Sequence, residues 1–192
     1  MNRREALKRM AFLTGGALSL STASAIMGGC KVMPGDTFKP QTLSPEQNKM
    51  VTVISELIIP ETDTPGATEA GVNRFIDKML TDWNTKEERD HFLKGLTGVN
   101  QVSNNDYGKK FLDLNKQQQV ELLGKLEEMA ITEKTDGNTV EMKPFFSQIK
   151  EYTIVGYYTS EIGASVELKY NHVAGYYDGC IPYSEVGRCW TS

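Results

Sequence analysis

The sequence predicts an all-α fold: a single-domain irregular helical bundle closed by a glycine- and tyrosine-rich C-terminal wrap. Three observations predict it. Apolar residues recur at helical spacing through most of residues 44–155, helix-start signatures precede those runs, and no segment of this body alternates with period two over a convincing length. The chain has 192 residues, enough for one domain with a real core. Neither an internal repeat nor a second domain is visible, so short connections and a packed bundle are expected.

Residues 1–29 read as a targeting segment. Asn2-Arg3-Arg4-Glu5-Ala6-Leu7-Lys8 resembles the twin-arginine export motif, with Arg3 and Arg4 paired and Lys8 following. A general-pathway signal with incidental arginines is the alternative; the lysine spacing and the weakly apolar stretch that follows favour the twin-arginine reading. That stretch, Ala11–Met27, is broken by Gly15, Gly16 and several Ser and Thr. A spanning helix needs about 20 firmly apolar residues, so a permanent transmembrane anchor is not expected.

The leader ends Ile26-Met27-Gly28-Gly29-Cys30, which resembles a lipoprotein processing site with Cys30 as the lipidated first residue. Ordinary cleavage nearby would instead leave Cys30 as an odd thiol, an awkward group in an exported protein. Acyl chains on Cys30 would anchor the domain to a membrane, each buried methylene contributing roughly 0.8 kcal/mol. Residues 30–43, with Pro34, Gly35, Asp36 and Pro40, then read as a tether to a domain covering 44–192.

Ser44-Pro45-Glu46-Gln47 is a helix start: Ser44 can accept from the amide of residue 47, Pro45 suits the first helical position, and Gln47 can reach back. Met50, Val51, Ile54, Leu57 and Ile58 follow at helical spacing, and Pro60 stops the run. A second helix starts near Gly71. Its Val72, Phe75, Ile76, Met79, Leu80 and Trp83 form a single apolar stripe, read as core. Thr85-Lys86-Glu87-Glu88 repeats the capping pattern before Phe92, Leu93, Leu96 and Val99, and Asn104-Asn105-Asp106 marks a break. Asn115-Lys116-Gln117-Gln118 is another cap, ahead of a helix lined by Val120, Leu123, Leu126 and Met129. Thr135-Asp136-Gly137-Asn138 is a turn, and Pro144 opens an aromatic helix through Phe145, Phe146, Ile149, Tyr152 and Val155.

From Tyr152 the composition changes. Seven of the eight tyrosines lie between Tyr152 and Tyr183, with Trp190 close behind, and Gly156, Gly163, Gly175, Gly179 and Gly187 interrupt any helix. Tyr and Trp join a large apolar body to a polar tip, which suits an interface; an irregular wrap over the bundle is the plainer alternative. Cys180 and Cys189 are read as a disulfide closing a short loop, with a bond to a partner subunit or two separate thiols as the alternatives.

Composition excludes several classes of function. The formal net charge is −4, and the leader contributes +3 to it, so a product starting at Cys30 carries about −7. Such an acidic domain is a poor nucleic-acid binder, since nothing offsets phosphate repulsion. Two histidines, His91 and His172, and three cysteines exclude most His-rich metal sites and all multi-cysteine clusters. No G-x-G-x-x-G follows a strand and no C-x-x-C-H is present, so neither a dinucleotide nor attached haem is expected in this chain. No catalytic, cofactor-binding or metal-ligating residue is assigned.

The stretch Ile54–Leu80, ISELIIPETDTPGATEAGVNRFIDKML, carries a resemblance. Its order of apolar helix, I-P-E-T-D-T-P-G-A, A-G-V and an F-I-D-x-M-L helix resembles the small subunit (subunit 3, or gamma) of gluconate 2-dehydrogenase-type flavin dehydrogenases. The resemblance covers roughly Ser44 to the C-terminus, and the glycine-aromatic segments at 156–163 and 175–179 resemble the family's tail. The Gly-Gly-Asn element that many relatives carry there is absent, which leaves room for a different partner. The resemblance implies a non-catalytic companion of a large FAD-dependent oxidoreductase subunit, and in some complexes of a cytochrome c subunit as well. FAD would sit in the partner, which oxidises a sugar or sugar-acid hydroxyl and passes electrons to a cytochrome or quinone. The small subunit would be escort, stabiliser and membrane anchor, exported to the periplasm with its folded partner. Tyr157, Tyr158, Tyr176, Tyr177 and Trp190 are expected on the partner surface. A stand-alone periplasmic or surface lipoprotein that binds a ligand or protein is the alternative.

Overall fold

Five helices carry the body of the chain. They are α1 (Pro45–Ile58), α2 (Val72–Lys78), α3 (Lys86–Tyr107), α4 (Lys116–Thr135) and α5 (Phe145–Tyr158). A computed structural model describes residues 38–135, 142–173, 175 and 179–191. The leader, with Arg3, Arg4, Lys8 and Cys30, lies outside the described residues, as do Tyr176, Tyr177 and all of the expected 135–138 turn except Thr135. A one-turn π-helix (Met79–Trp83) extends α2, a 3-10 turn (Phe111–Asp113) precedes α4, and a second π-turn (Gly163–Glu167) follows α5. The fold is essentially all-α. Its only described strands are β1 (Lys169–Tyr170) and β2 (Trp190–Thr191), paired in parallel with Lys169 opposite Trp190, and the short helix α6 (Tyr183–Val186) lies between them in sequence.

The helix starts form where the sequence places them. Ser44 and Gln47 bond reciprocally, as do Thr85 with Glu88 and Asn115 with Gln118, each pair satisfying two otherwise orphaned groups at a helix N-terminus. Each cap contributes about 1 kcal/mol. The expected break at Asn104–Asp106 does not occur. These side chains sit on a mostly exposed face, and α3 continues through Tyr107 to Gly108, whose φ of 67° supplies the left-handed cap that ends it.

Helix α5 is the centre of the bundle, since α1, α2, α3 and α4 all pack against it. Ile149 and Tyr157 are buried on it beside Met50, Ile54, Ile76, Leu80, Phe92 and Leu122. The helix runs straight through Gly156, which was expected to interrupt it. A Cβ there would stand 2.7 Å from the Phe75 ring, so this glycine lets α2 approach α5 closely. In α4 the row Val120, Leu123, Leu126, Met129 is not the core row. Steps of three residues drift by about 60° each on a 3.6-residue helix, so the ends of such a row leave the face. Val120 and Met129 are exposed, and Gln119, Leu122, Leu123 and Ala130 face inward.

The compact unit begins at Lys39, ahead of the boundary expected at residue 44. The cause is Asp77. Its carboxylate, 2% exposed, accepts three backbone amides, from Gln41 (2.8 Å), Thr42 (3.1 Å) and Leu43 (2.9 Å). Hydrogen bonds to a charged acceptor contribute roughly 1.5–3 kcal/mol each. Thr42 and Thr81 hydroxyls pair at 2.7 Å beside them, and Leu43 is buried. The end of the tether is therefore part of the domain.

Candidate functional site

The loop after Pro60 is organised by a carboxylate from the helix before it. Glu56 Oε1 accepts from the Glu61 amide (3.0 Å) and Oε2 from the Thr68 amide (2.8 Å). Burial raises the Glu56 pKa, but the Thr68 and Glu61 hydrogen bonds, helped by Lys116, outweigh it and leave the group below the ordinary glutamate value. Gly66 sits inside this turn, where an added Cβ would meet Glu56 Oε1 at 2.3 Å and the Glu61 nitrogen at 2.7 Å. The loop and the start of the tail then bond to each other. The Tyr157 hydroxyl donates to the Pro65 carbonyl (2.7 Å), and the Thr64 hydroxyl donates to Glu167 Oε2 (2.7 Å).

Tyr157 is therefore not a surface residue, contrary to expectation. It is 1% exposed, because α5 continues past Gly156 and carries it into the core. Burial pushes its pKa above the ordinary tyrosine value, so the hydroxyl remains a donor. Tyr158, next to it in an edge-on ring contact, is 38% exposed, and Trp190 is 46% exposed with Lys169 Nζ 5.6 Å from its ring centroid. The expected disulfide is not formed, and Cys180 and Cys189 are both exposed thiols. Cys189 is committed to the run into β2, where its carbonyl accepts from Lys169 N–H, and α6 with its Gly187 cap separates it from Cys180.

The largest departure lies at the end of α2. Val72, Ile76 and Leu80 keep to the core, but Trp83, expected in the same stripe, is 79% exposed. The reason is the π-turn, closed by the Asn84 N–H to Met79 carbonyl bond. A π-turn takes one residue more than an α-turn, so its last residue lags by about 100°. Asn84 is turned inward instead, and its amide bonds the Tyr152 hydroxyl (2.9 Å).

Trp83 stands at a groove of about 420 Å³ whose other walls include Phe75, Met79, His91, Tyr152 and Val155. Gln148, 8% exposed, also lines it. Its Nε2 donates to the Tyr152 hydroxyl (3.2 Å), while its Oε1 has no hydrogen-bond partner among the described residues. Val155, Lys143 and Glu151 are shared with a second groove of about 430 Å³ that includes Ile154. His91 Nε2 bonds the Lys143 carbonyl (3.0 Å), and His172 lies against Tyr170. Among the described residues no group of three or more His, Cys, Asp or Glu could hold a metal ion, and no helix is long and apolar enough to cross a membrane.

The family model described as gluconate 2-dehydrogenase subunit 3 matches residues 45–175. The chain belongs to this family. No curated protein and no solved structure gave a match. The family's name places its members in a multi-subunit dehydrogenase complex, in an accessory role. The span matched to subunit 3 holds the Glu56 loop, Asp77, Trp83, Gln148 and Tyr157, and it ends before Cys180, Cys189 and Trp190. Sequence reasoning missed Trp83, Gln148 and the Asp77 contacts. Only the F-I-D motif pointed toward Asp77, and nothing local in the sequence signals a π-turn.

Proposed function

We propose that this chain is the non-catalytic small subunit of an exported, FAD-dependent sugar or alcohol dehydrogenase complex, and that it escorts, stabilises and anchors the flavoprotein subunit. The observation that carries the proposal is the subunit 3 match over residues 45–175, downstream of a leader with Arg3, Arg4, Lys8 and Cys30. The twin-arginine route carries folded proteins, and a flavoprotein takes up FAD as it folds. A catalytic subunit without a signal can therefore cross on a partner that has one. Cys30 would hold the pair at the periplasmic side of a membrane through its acyl chains. FAD, and the oxidation it performs, belong to the partner.

The test is export of both subunits from cells carrying Arg3→Lys with Arg4→Lys. We expect the small subunit and the flavoprotein to be retained together in the cytoplasm. Unchanged export of the flavoprotein overturns the escort role. The intact mass of the mature chain tests the anchor: it should begin at a lipidated Cys30.

A further inference from the structure

We infer that residues 41–43 are a releasable strap. Clasped on Asp77 they belong to the domain; released, they join the tether and lengthen it while the bundle stays folded. The longer tether rests on the reading of Cys30 as a lipid anchor, whereas the strap itself does not. Its limits follow from where the backbone amides go. Gln41, Thr42 and Leu43 donate in succession to the Asp77 carboxylate. From Ser44 onward the amides belong to the start of α1. Ser44 donates to Gln47 Oε1 (2.9 Å), Pro45 has no N–H, and Gln47 donates to Ser44 Oγ (3.2 Å). The helix start is therefore complete without the strap, and the hinge lies between Leu43 and Ser44.

Residues 41–43 make no backbone-to-backbone hydrogen bond among the described residues. Asp77, the Thr42–Thr81 contact and the buried Leu43 side chain hold them. Thr81 Oγ1 donates to the Asp77 carbonyl (2.7 Å), so in its pair with Thr42 it accepts. Three donors share one carboxylate, so they are gained and lost together. A segment with a single buried apolar side chain opens at a lower free energy than the core it covers. Opening uncovers Leu43 and Asp77 and little else, and the carboxylate then meets water instead of staying buried without donors. Gln41 follows Cys30 by eleven residues and Ser44 follows it by fourteen. The reach from the acyl chains to the domain is therefore at most about 40 Å with the strap closed and about 50 Å with it open. The domain, with any subunit bound to it, thus has two ranges of distance from the bilayer.

The experiment is hydrogen exchange on the full chain, followed amide by amide. Gln41, Thr42 and Leu43 should exchange through an opening that urea hardly accelerates, because it exposes little surface. The amides of Ile149 and Thr153, both buried in α5, should exchange only with unfolding of the whole bundle. Asp77→Asn keeps the shape of the side chain but turns one accepting oxygen into a donor. It should bring the three strap amides close to the rate of an unstructured chain while Ile149 and Thr153 stay protected. If in the wild type the strap amides share the free energy and urea dependence of Ile149 and Thr153, the strap opens only with the bundle and the inference falls. It falls too if Asp77→Asn unfolds the whole chain, since the clasp would then hold the bundle itself. The mass of the mature chain reads the anchor separately: an unlipidated Cys30 removes the two distances and leaves the strap.

Discussion

At the junction of the post-Pro60 loop with helix α5, Tyr157, Glu56 and Thr64 direct their polar atoms to the chain itself. At the groove beside α2, an indole stands in water and a buried amide oxygen has no donor among the described residues. Both regions contain an aromatic residue at the end of a helix, and both lie within the family-matched span. The difference lies in what each could gain from another molecule. At the loop junction the Tyr157, Thr64 and Glu56 bonds are made within the chain, although Pro60–Asp63 of the same loop remain exposed. The groove is open and lined by apolar side chains, while the unpaired Gln148 oxygen lies buried behind them.

Exchanging each aromatic for alanine breaks this comparison most directly. Tyr157→Ala removes a fully buried ring and its bond to Pro65, and we expect it to lower stability by about 3–5 kcal/mol in urea unfolding. Trp83→Ala should stay within about 0.5 kcal/mol, as exposed substitutions do. Equal losses would show that Trp83 is part of the core. Next in size is Gly66→Ala. Glu56 can swing away from the new methyl, but the Glu61 backbone nitrogen must move, and we expect a loss of about 1–3 kcal/mol by the same measurement.

The smallest effect separates the two regions by pH. The Glu56 pKa is lowered in the folded chain, so its contribution is fully present above the unfolded value and is lost as pH falls through the folded one. Glu56→Gln should therefore be less stable by about 1 kcal/mol at neutral pH. The gap to wild type should close on acidification through and below the ordinary glutamate range. Midpoints of thermal unfolding at neutral and acid pH check this, and a gap that stays constant would mean that the loop does not depend on the charge of Glu56.

The parts of the fold that were legible in the sequence are those governed by neighbours within four residues. Ser44, Thr85 and Asn115 each announce a helix start because cap and partner are three positions apart. Trp83 was illegible because its position depends on a single added residue per turn, which changes the phase of everything after Met79 and leaves no compositional trace. Gly156 was misread for a related reason: a helix-breaking residue and a close-packing one are the same glycine, and only Phe75, 81 residues away, tells them apart. Tyr157 follows from that, since a chain expected to leave the helix at Gly156 would have carried it outward. Family resemblance reached the right group of proteins through the loop at 60–71, whose Gly66 and Ala67 are buried while Pro60–Asp63, Thr68 and Glu69 are exposed.

Asp77 has a mechanical consequence. Any pull applied through the residues ahead of Gln41 reaches the domain at one carboxylate and the three amides that it holds, together with the Thr42–Thr81 contact. These bonds share the load before Leu43 is drawn from the core and before the Ser44 cap is disturbed. The first helix is thus shielded from tension on the segment before it. Asp77→Ala would move the point of attack to the helix start, so under the same force the domain would fray from α1 rather than hold at its edge.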